Sequence, residues 1–258
     1  MAQGACAHRT LPAAQHQMTR TIEQVIDQHR VTYHSVDALV FEPTQVDKIL
    51  VSFTGMQIGH YNRWSWFCDR YQQDNTLYIV FKDDDRLFYL DREPQNPVST
   101  HHADFILDKL AKHQLDSKKL YTLGTSMGGY SAIYFAFRLD AYAAITSSPL
   151  VDIDSATPTV NPNTDVLEPT TNLWSRQMAA LGNTWIDLDQ YVLQSTSTPR
   201  IFIAHGTYRP DLAAVTKLTA ALETKNISYI VDQVDKNEHA DYLSAAKLFD
   251  LINHWPDK

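Results

Sequence analysis

A serine framed by glycines, Gly124-x-Ser126-x-Gly128 in LGTSMGG, is the part of this chain best suited to chemistry. A serine hydroxyl is a weak nucleophile until a base takes its proton, and it must stand clear of the sheet that carries it. A tight turn from strand to helix lifts it out, and side-chain-free neighbours let strand, turn and helix approach closely. The flanking residues fit, with the strand-like KLYTL before the serine and the helical MGGYSAIYFAF after it. The helix start behind Ser126 offers a backbone N–H and a favourable field for an oxyanion.

The partners of such a serine follow in the order acid, then histidine. Of the eleven histidines, His205 and His239 follow Ser126 and lie near expected strand ends, while His254 sits late in the final helix beside Trp255. His239, in VDKNEHADYL at the expected start of the last helix, is the candidate base; His205, in IAHGTYRPD, is expected to pack behind the acid turn. Asp211, in the loop expected after RIFIA, is the candidate for the carboxylate that orients the base, and Asp152, Asp154, Asp235 and Glu238 are alternatives. The oxyanion donors expected from position alone are the backbone N–H groups of Met56, after VSFTG, and Met127.

These residues need a sheet to hold them. Val31–Phe41 reads as one or two strands, followed by Lys48–Phe53, Thr76–Phe81, Lys119–Leu123, Tyr142–Thr146, Arg200–Ala204 and Ser228–Val234. Between them Ser99–His113, Ser126–Arg138, Asp211–Lys225 and Glu238–His254 carry apolar residues at helical spacing. In the last, Ala240, Leu243, Ala246, Leu248, Leu251, Ile252 and Trp255 trace one face. Alternation of this kind implies an α/β fold with a mostly parallel sheet covered on both faces. Residues 1–30 read as an N-terminal extension and 31–258 as one domain. Residues 150–198, which include ATPTVNPNTDVLEPTTN, read as a lid-like insertion. The chain holds only eight glycines, fewer than half of the roughly 7% average. Five of them (Gly55, Gly124, Gly128, Gly129 and Gly206) fall at the carboxyl ends of expected strands or at the helix starts that follow, the edge where open α/β sheets bind ligands.

Other clusters have quieter readings. Tyr61, Trp64, Trp66 and Phe67 in HYNRWSWF would stack on a sugar, floor an acyl pocket, or simply pack the next helix. Asp83-Asp84-Asp85 reads as a solvated charge run that could also hold Arg86. His101-His102 with Asp104 has no further ligand spacing and reads as the opening of a helix after Ser99-Thr100, so no metal is expected. With 258 residues, two cysteines (Cys6 and Cys68) and a formal charge of −8, the chain can form a full core without disulfides and has no basic footprint for nucleic acid. No apolar stretch reaches the roughly 20 residues of a membrane span, and the first residues lack a secretory apolar region, so the expected location is the cytoplasm.

The constellation of Gly124-x-Ser126-x-Gly128, Asp211 and His239 resembles the α/β-hydrolase superfamily, over about Val31 to Trp255. More narrowly, VSFTGM, DDDRLFYL and YTLGTSMGGYSAI look like bacterial α/β-hydrolase proteins that handle acyl groups on glycans, among them capsular polysaccharide O-acetyltransferases. The superfamily resemblance implies a serine esterase that cleaves an O-acyl ester through an acyl-enzyme on Ser126 and needs no cofactor. The narrower one implies an O-acetyltransferase that takes acetyl from acetyl-CoA to a glycan hydroxyl, with Lys82, Arg86 and Arg209 as candidates for the CoA phosphates. A non-catalytic binding protein on the same fold is the third reading.

Overall fold

The structure is a computed structural model that describes residues 20–56, 61–91, 97–152 and 185–256. Eight strands form one sheet: β1 Arg30–Tyr33, β2 Val36–Phe41, β3 Lys48–Phe53, β4 Thr76–Phe81, β5 Leu120–Thr125, β6 Ala143–Ser147, β7 Arg200–His205 and β8 Tyr229–Gln233. Their order is β1-β2-β4-β3-β5-β6-β7-β8. β1, β2 and β4 pair antiparallel, and every pairing from β4 through β8 is parallel. The segment Val31–Phe41 is therefore two strands, a hairpin that turns at His34 with φ of 50°.

Burial explains why the central strands were so readable. β4 and β6 are buried at every position and β3 at all but its first, because helices cover both faces of a parallel sheet. The edges differ: β1 alternates between exposed and half-buried, and the far half of β8 is exposed, in keeping with the polar Asp232 and Gln233 at its end.

The helices among the described residues are α1 Ile22–His29, α2 Trp64–Phe67, α3 Val98–Lys112, α4 Met127–Arg138, α5 Leu188–Gln194, α6 Arg209–Thr224 and α7 Ala245–Asn253. One apolar cluster joins the sheet to α3, α4, α5 and α6; a second joins its other face to α1, α2 and α7. Two elements differ from expectation. α1 falls in the segment read as an extension, yet it carries a Thr21–Gln24 capping box and buries Val25 completely against the sheet. α7 begins at Ala245, capped by the Ser244 hydroxyl, and not at Glu238; its buried face is Leu248, Phe249, Leu251 and Ile252, while Ala246 is exposed. Most of the expected insertion, 153–184, lies outside the described residues; within the remainder, α5 packs on the core through Leu188 and Val192. Among the described residues no helix is long and apolar enough to cross a membrane.

His102 belongs to the core. It is 3% exposed, its ring lies against Phe81 and Tyr89, and its Nδ1 donates to the Val98 carbonyl at 2.7 Å. Burial depresses its pKa to about 4 against the pull of that carbonyl. The unfolded chain, with an ordinary histidine pKa near 6.5, takes up the proton first as pH falls. The neutral ring therefore contributes its full share of stability above about pH 6.5, and the share is lost on the way down to about pH 4. Urea unfolding at pH 7 and near pH 4.5 should show a drop on the order of 2 kcal/mol from this group, which His102→Phe should remove. Equal pH dependence in the two proteins would assign the acid sensitivity to other groups.

Candidate active site

The strand register brings the ends of β5, β6 and β7 level: Thr125 faces Ser147 and Ser147 faces Ala204. The chemistry-bearing residues emerge from this edge. Ser126 stands between β5 and α4 with φ of 57° and ψ of −122°, a conformation that L-residues adopt only when their surroundings force it. Its N–H donates to the Ser147 carbonyl at 3.0 Å, and the α4 N–H of Tyr130 donates to its own carbonyl at 3.0 Å. The flanking glycines are needed for close approach. A Cβ on Gly124 would lie 1.9 Å from the Gly128 carbonyl oxygen, and one on Gly128 would lie 2.2 Å from that of Phe53. Both obstacles are backbone, so neither can swing aside.

Asp211 and His239 meet at this serine. His239 Nδ1 donates to Asp211 Oδ1 at 2.7 Å, and its Nε2 accepts from Ser126 Oγ at 2.8 Å. The carboxylate fixes the tautomer, because it can only accept, and that leaves the Nε2 lone pair facing the hydroxyl. Asp211 is 4% exposed, and its Oδ2 has no partner among the described residues. It sits in the first turn of α6 and not in a loop, because Arg209-Pro210 starts the helix two residues earlier. An anion is favoured at that end of a helix.

The turn after β3 runs beside the serine: a Cβ on Gly55 would touch the Thr125 carbonyl oxygen at 3.2 Å. Met56 follows it and Met127 opens α4, whose N-terminus receives no side-chain cap. Met56 and Met127 thus belong to two elements that meet beside the serine.

No protein-family model and no curated protein matches the sequence. Solved structures match in fold. The capsule O-acetyltransferase of Neisseria meningitidis serogroup A, in complex with caged gadolinium, aligns with a TM-score of 0.62 at 13% identity, over 92% of this chain and 95% of its own. An S-formylglutathione hydrolase from Agrobacterium tumefaciens aligns with a TM-score of 0.55 at 14% identity, over 87% and 95%. The chain has the α/β-hydrolase fold. A variant of the same O-acetyltransferase in complex with CoA aligns at 0.57 and 14% identity, over 82% and 87%.

In this α/β-hydrolase fold several of the other sequence candidates have structural partners. Asp152 is 5% exposed and paired with Lys217; Asp235 and Glu238 are exposed, and Asp154 lies outside the described residues. His205 is buried at the end of β7, where its Nδ1 donates to the Gly206 carbonyl at 2.7 Å. His254 is exposed, 3.5 Å from Asp250. His101 is held by Ser35 at 2.9 Å, and among the described residues no group of three His, Cys, Asp or Glu is placed to hold a metal ion. Cys68 is a buried free thiol; Cys6 lies outside the described residues. Lys82 forms ion pairs with Asp37 and Asp84, while Arg209 is exposed in the first turn of α6.

One cluster reading needs correcting, and in a second the packing alternative holds. Asp83 is not a solvated charge: its Oδ2 accepts from the N–H groups of Leu87 and Tyr89 at 2.7 and 3.0 Å. It thereby holds a turn in which Arg86, Phe88 and Tyr89 all have φ near 60°. Of the HYNRWSWF aromatics, Tyr61 and Phe67 are core, and Trp64 and Trp66 pack partly buried on the same cluster.

Sequence reasoning passed over two residues at this edge. Tyr89 is fully buried, and its hydroxyl lies 2.9 Å from the Thr54 N–H and 3.2 Å from the Thr54 and Phe81 carbonyls, so it anchors the turn that leads to Met56. Burial pushes that hydroxyl's pKa well up, which keeps it a neutral donor. Arg63 reaches both Thr125 and Asp241, residues next to the serine and two past the histidine. Burial lowers its pKa despite the Asp241 carboxylate beside it. Both lie in segments that stand out in the sequence, HYNRWSWF and DDDRLFYL, but their partners are far apart in the chain and only the fold shows these roles.

Proposed function

We propose that this protein is a serine esterase that cleaves a carboxylic O-acyl ester through an acyl-enzyme on Ser126. One observation carries the reading: the continuous hydrogen-bonded chain from Asp211 through His239 to Ser126. Ser126 Oγ attacks the ester carbonyl carbon while His239 Nε2 takes its proton, and the imidazolium so formed is stabilised by the buried Asp211 carboxylate. The carbonyl oxygen becomes an oxyanion and accepts hydrogen bonds from the Met56 and Met127 N–H groups. As the tetrahedral species collapses, the alkoxide leaves with the proton from His239, and the acyl group stays on Ser126. A water molecule then gives a proton to His239 and attacks the acyl carbon, which releases the acid and returns the proton to Ser126.

A second reading, O-acetyl transfer, keeps every residue in its role. Acetyl-CoA loses its thiol in the first half, and a glycan hydroxyl replaces water in the second. The length-for-length match to a capsule O-acetyltransferase, over 92% of this chain and 95% of the other, favours it. The esterase is placed first because hydrolysis needs only the triad, with no acceptor site that excludes water.

One experiment separates the two. The protein is incubated with p-nitrophenyl acetate alone, and with acetyl-CoA with and without bacterial polysaccharides. Nitrophenol, free CoA and polymer-bound acetyl are then measured. The esterase should cleave the simple ester and ignore acetyl-CoA. CoA release that requires a polysaccharide and leaves acetyl on it would replace the first reading with the second.

A further inference from the structure

His239 does not sit on regular structure. It lies in residues 238–243, between β8 and α7, and among the described residues its hydrogen bonds to the sheet run through side chains. On one side the Ser147 hydroxyl accepts from the Tyr242 N–H at 2.7 Å and reaches the Ala240 carbonyl at 3.3 Å. Within the segment the Tyr242 hydroxyl donates to the Glu238 carbonyl at 2.7 Å. On the other side stands Arg63.

Arg63 is unusual in three ways. Its backbone has φ of 64°, a strained value for a bulky residue. Its side chain is only 5% exposed, and its buried Nε has no partner among the described residues. One terminal nitrogen donates both to Thr125 Oγ1 and to Asp241 Oδ2. A buried guanidinium is expensive to desolvate and persists where its pairing fixes something else. What it fixes here is the relation between two segments 113 residues apart, the nucleophile turn and the base loop.

We propose that Arg63 is a positioning residue that clamps Thr125 to Asp241 and thereby holds His239 in register with Ser126. The proposal rests on the reading of Ser126 and His239 as nucleophile and base. Arg63 touches neither reacting atom. Its effect reaches the chemistry through Thr125, one residue before the nucleophile, and Asp241, two residues after the base. A displacement of about 1 Å between such partners lowers a rate by about a hundred-fold.

The test compares wild type with Arg63→Ala, Arg63→Lys, Asp241→Asn and the Arg63→Ala/Asp241→Asn pair, each checked for folding by circular dichroism. Three quantities are read: kcat and KM for p-nitrophenyl acetate, the rate of Ser126 labelling by a fluorophosphonate, and the downfield proton NMR signal of the His239–Asp211 hydrogen bond, assigned by its loss in His239→Gln. Arg63→Ala should lower kcat and the labelling rate by about a hundred-fold with KM within about twofold, and should broaden the His239 signal. Millimolar guanidinium should restore part of the rate in Arg63→Ala, which a general loss of packing would not allow. The double variant should be little worse than Arg63→Ala alone, because both remove one linkage. If Arg63→Ala does not fold, Arg63→Lys carries the test: a point charge cannot serve both partners equally, so an intermediate loss is expected. Wild-type labelling and an unchanged His239 signal in folded Arg63 variants would overturn the proposal, as would a raised KM with unchanged kcat. An unlabelled wild type that shows the His239 signal would overturn the nucleophile reading instead, and the NMR comparison would still decide whether Arg63 positions the ring.

Discussion

Replacing Ser126 by alanine is expected to remove ester cleavage almost completely, by about 10⁴-fold or more, in a protein that still folds. The rate effect follows from the bond arrangement, since Ser126 Oγ is the group that faces the lone pair of His239 Nε2 at 2.8 Å. A methyl group in its place can form no acyl-enzyme, and the small residual rate would come from the oxyanion donors and from binding alone. The fold should survive because the turn depends on the backbone at this position and not on the hydroxyl. Ser126 does not cap α4, and its N–H and carbonyl are held by Ser147 and Tyr130 whichever small side chain is present. Alanine also meets the φ of 57° with about the same strain as serine. Turnover of p-nitrophenyl acetate and the thermal midpoint are the two measurements. A folded Ser126→Ala protein that turns over at the wild-type rate would take the nucleophile away from this turn altogether.

What could be read in advance divides along a physical line. Residues buried on both faces of a sheet have no polar alternative, so Lys48–Phe53 and Thr76–Phe81 announced themselves as strands and are β3 and β4. The Gly124 and Gly128 pair was equally plain, because contacts near 2 Å to neighbouring backbone leave one residue type possible. The start of α7 is hidden in the sequence for the opposite reason. Ala240 and Leu243 continue the apolar spacing of the helix, but Ser147, Arg63 and the Glu238 carbonyl claim the backbone and side chains of 240–242, and the helix waits for the Ser244 cap. Ser147 and Arg63 lie far away in sequence. The same holds for Tyr89, whose value to the turn after β3 depends on a hydrogen bond spanning 35 residues. Asp83 looks like its two acidic neighbours in the sequence, because composition does not reveal a carboxylate that folds back on two N–H groups of its own loop.

The acid should be the next most sensitive position. Asp211→Asn is expected to lower the rate by about a thousand-fold or more while it leaves the thermal midpoint nearly unchanged. Asparagine has almost the shape of aspartate and stays in the first turn of α6, so the helix has no reason to shift. The change lies in which atom carries a proton. Asp211 Oδ1 accepts from His239 Nδ1 at 2.7 Å and so leaves Nε2 free to receive the serine proton. An amide NH₂ turned toward Nδ1 would favour the opposite tautomer, with the proton on Nε2, and Ser126 would then face a donor where it needs a base. If the amide oxygen faces Nδ1 instead, the tautomer is kept but the negative charge that stabilises the imidazolium is gone. Both outcomes slow the step in which charge develops on the ring. The control is Asp152→Asn, at the end of the neighbouring strand β6, where the carboxylate is occupied by Lys217. That variant should keep activity within a few-fold and instead lose stability, by about 1–3 kcal/mol, because the buried partner of an ion pair is removed. Should Asp152→Asn cripple turnover while Asp211→Asn does not, the acid would move one strand over, and His239 would need a different hydrogen bond from the one at 2.7 Å.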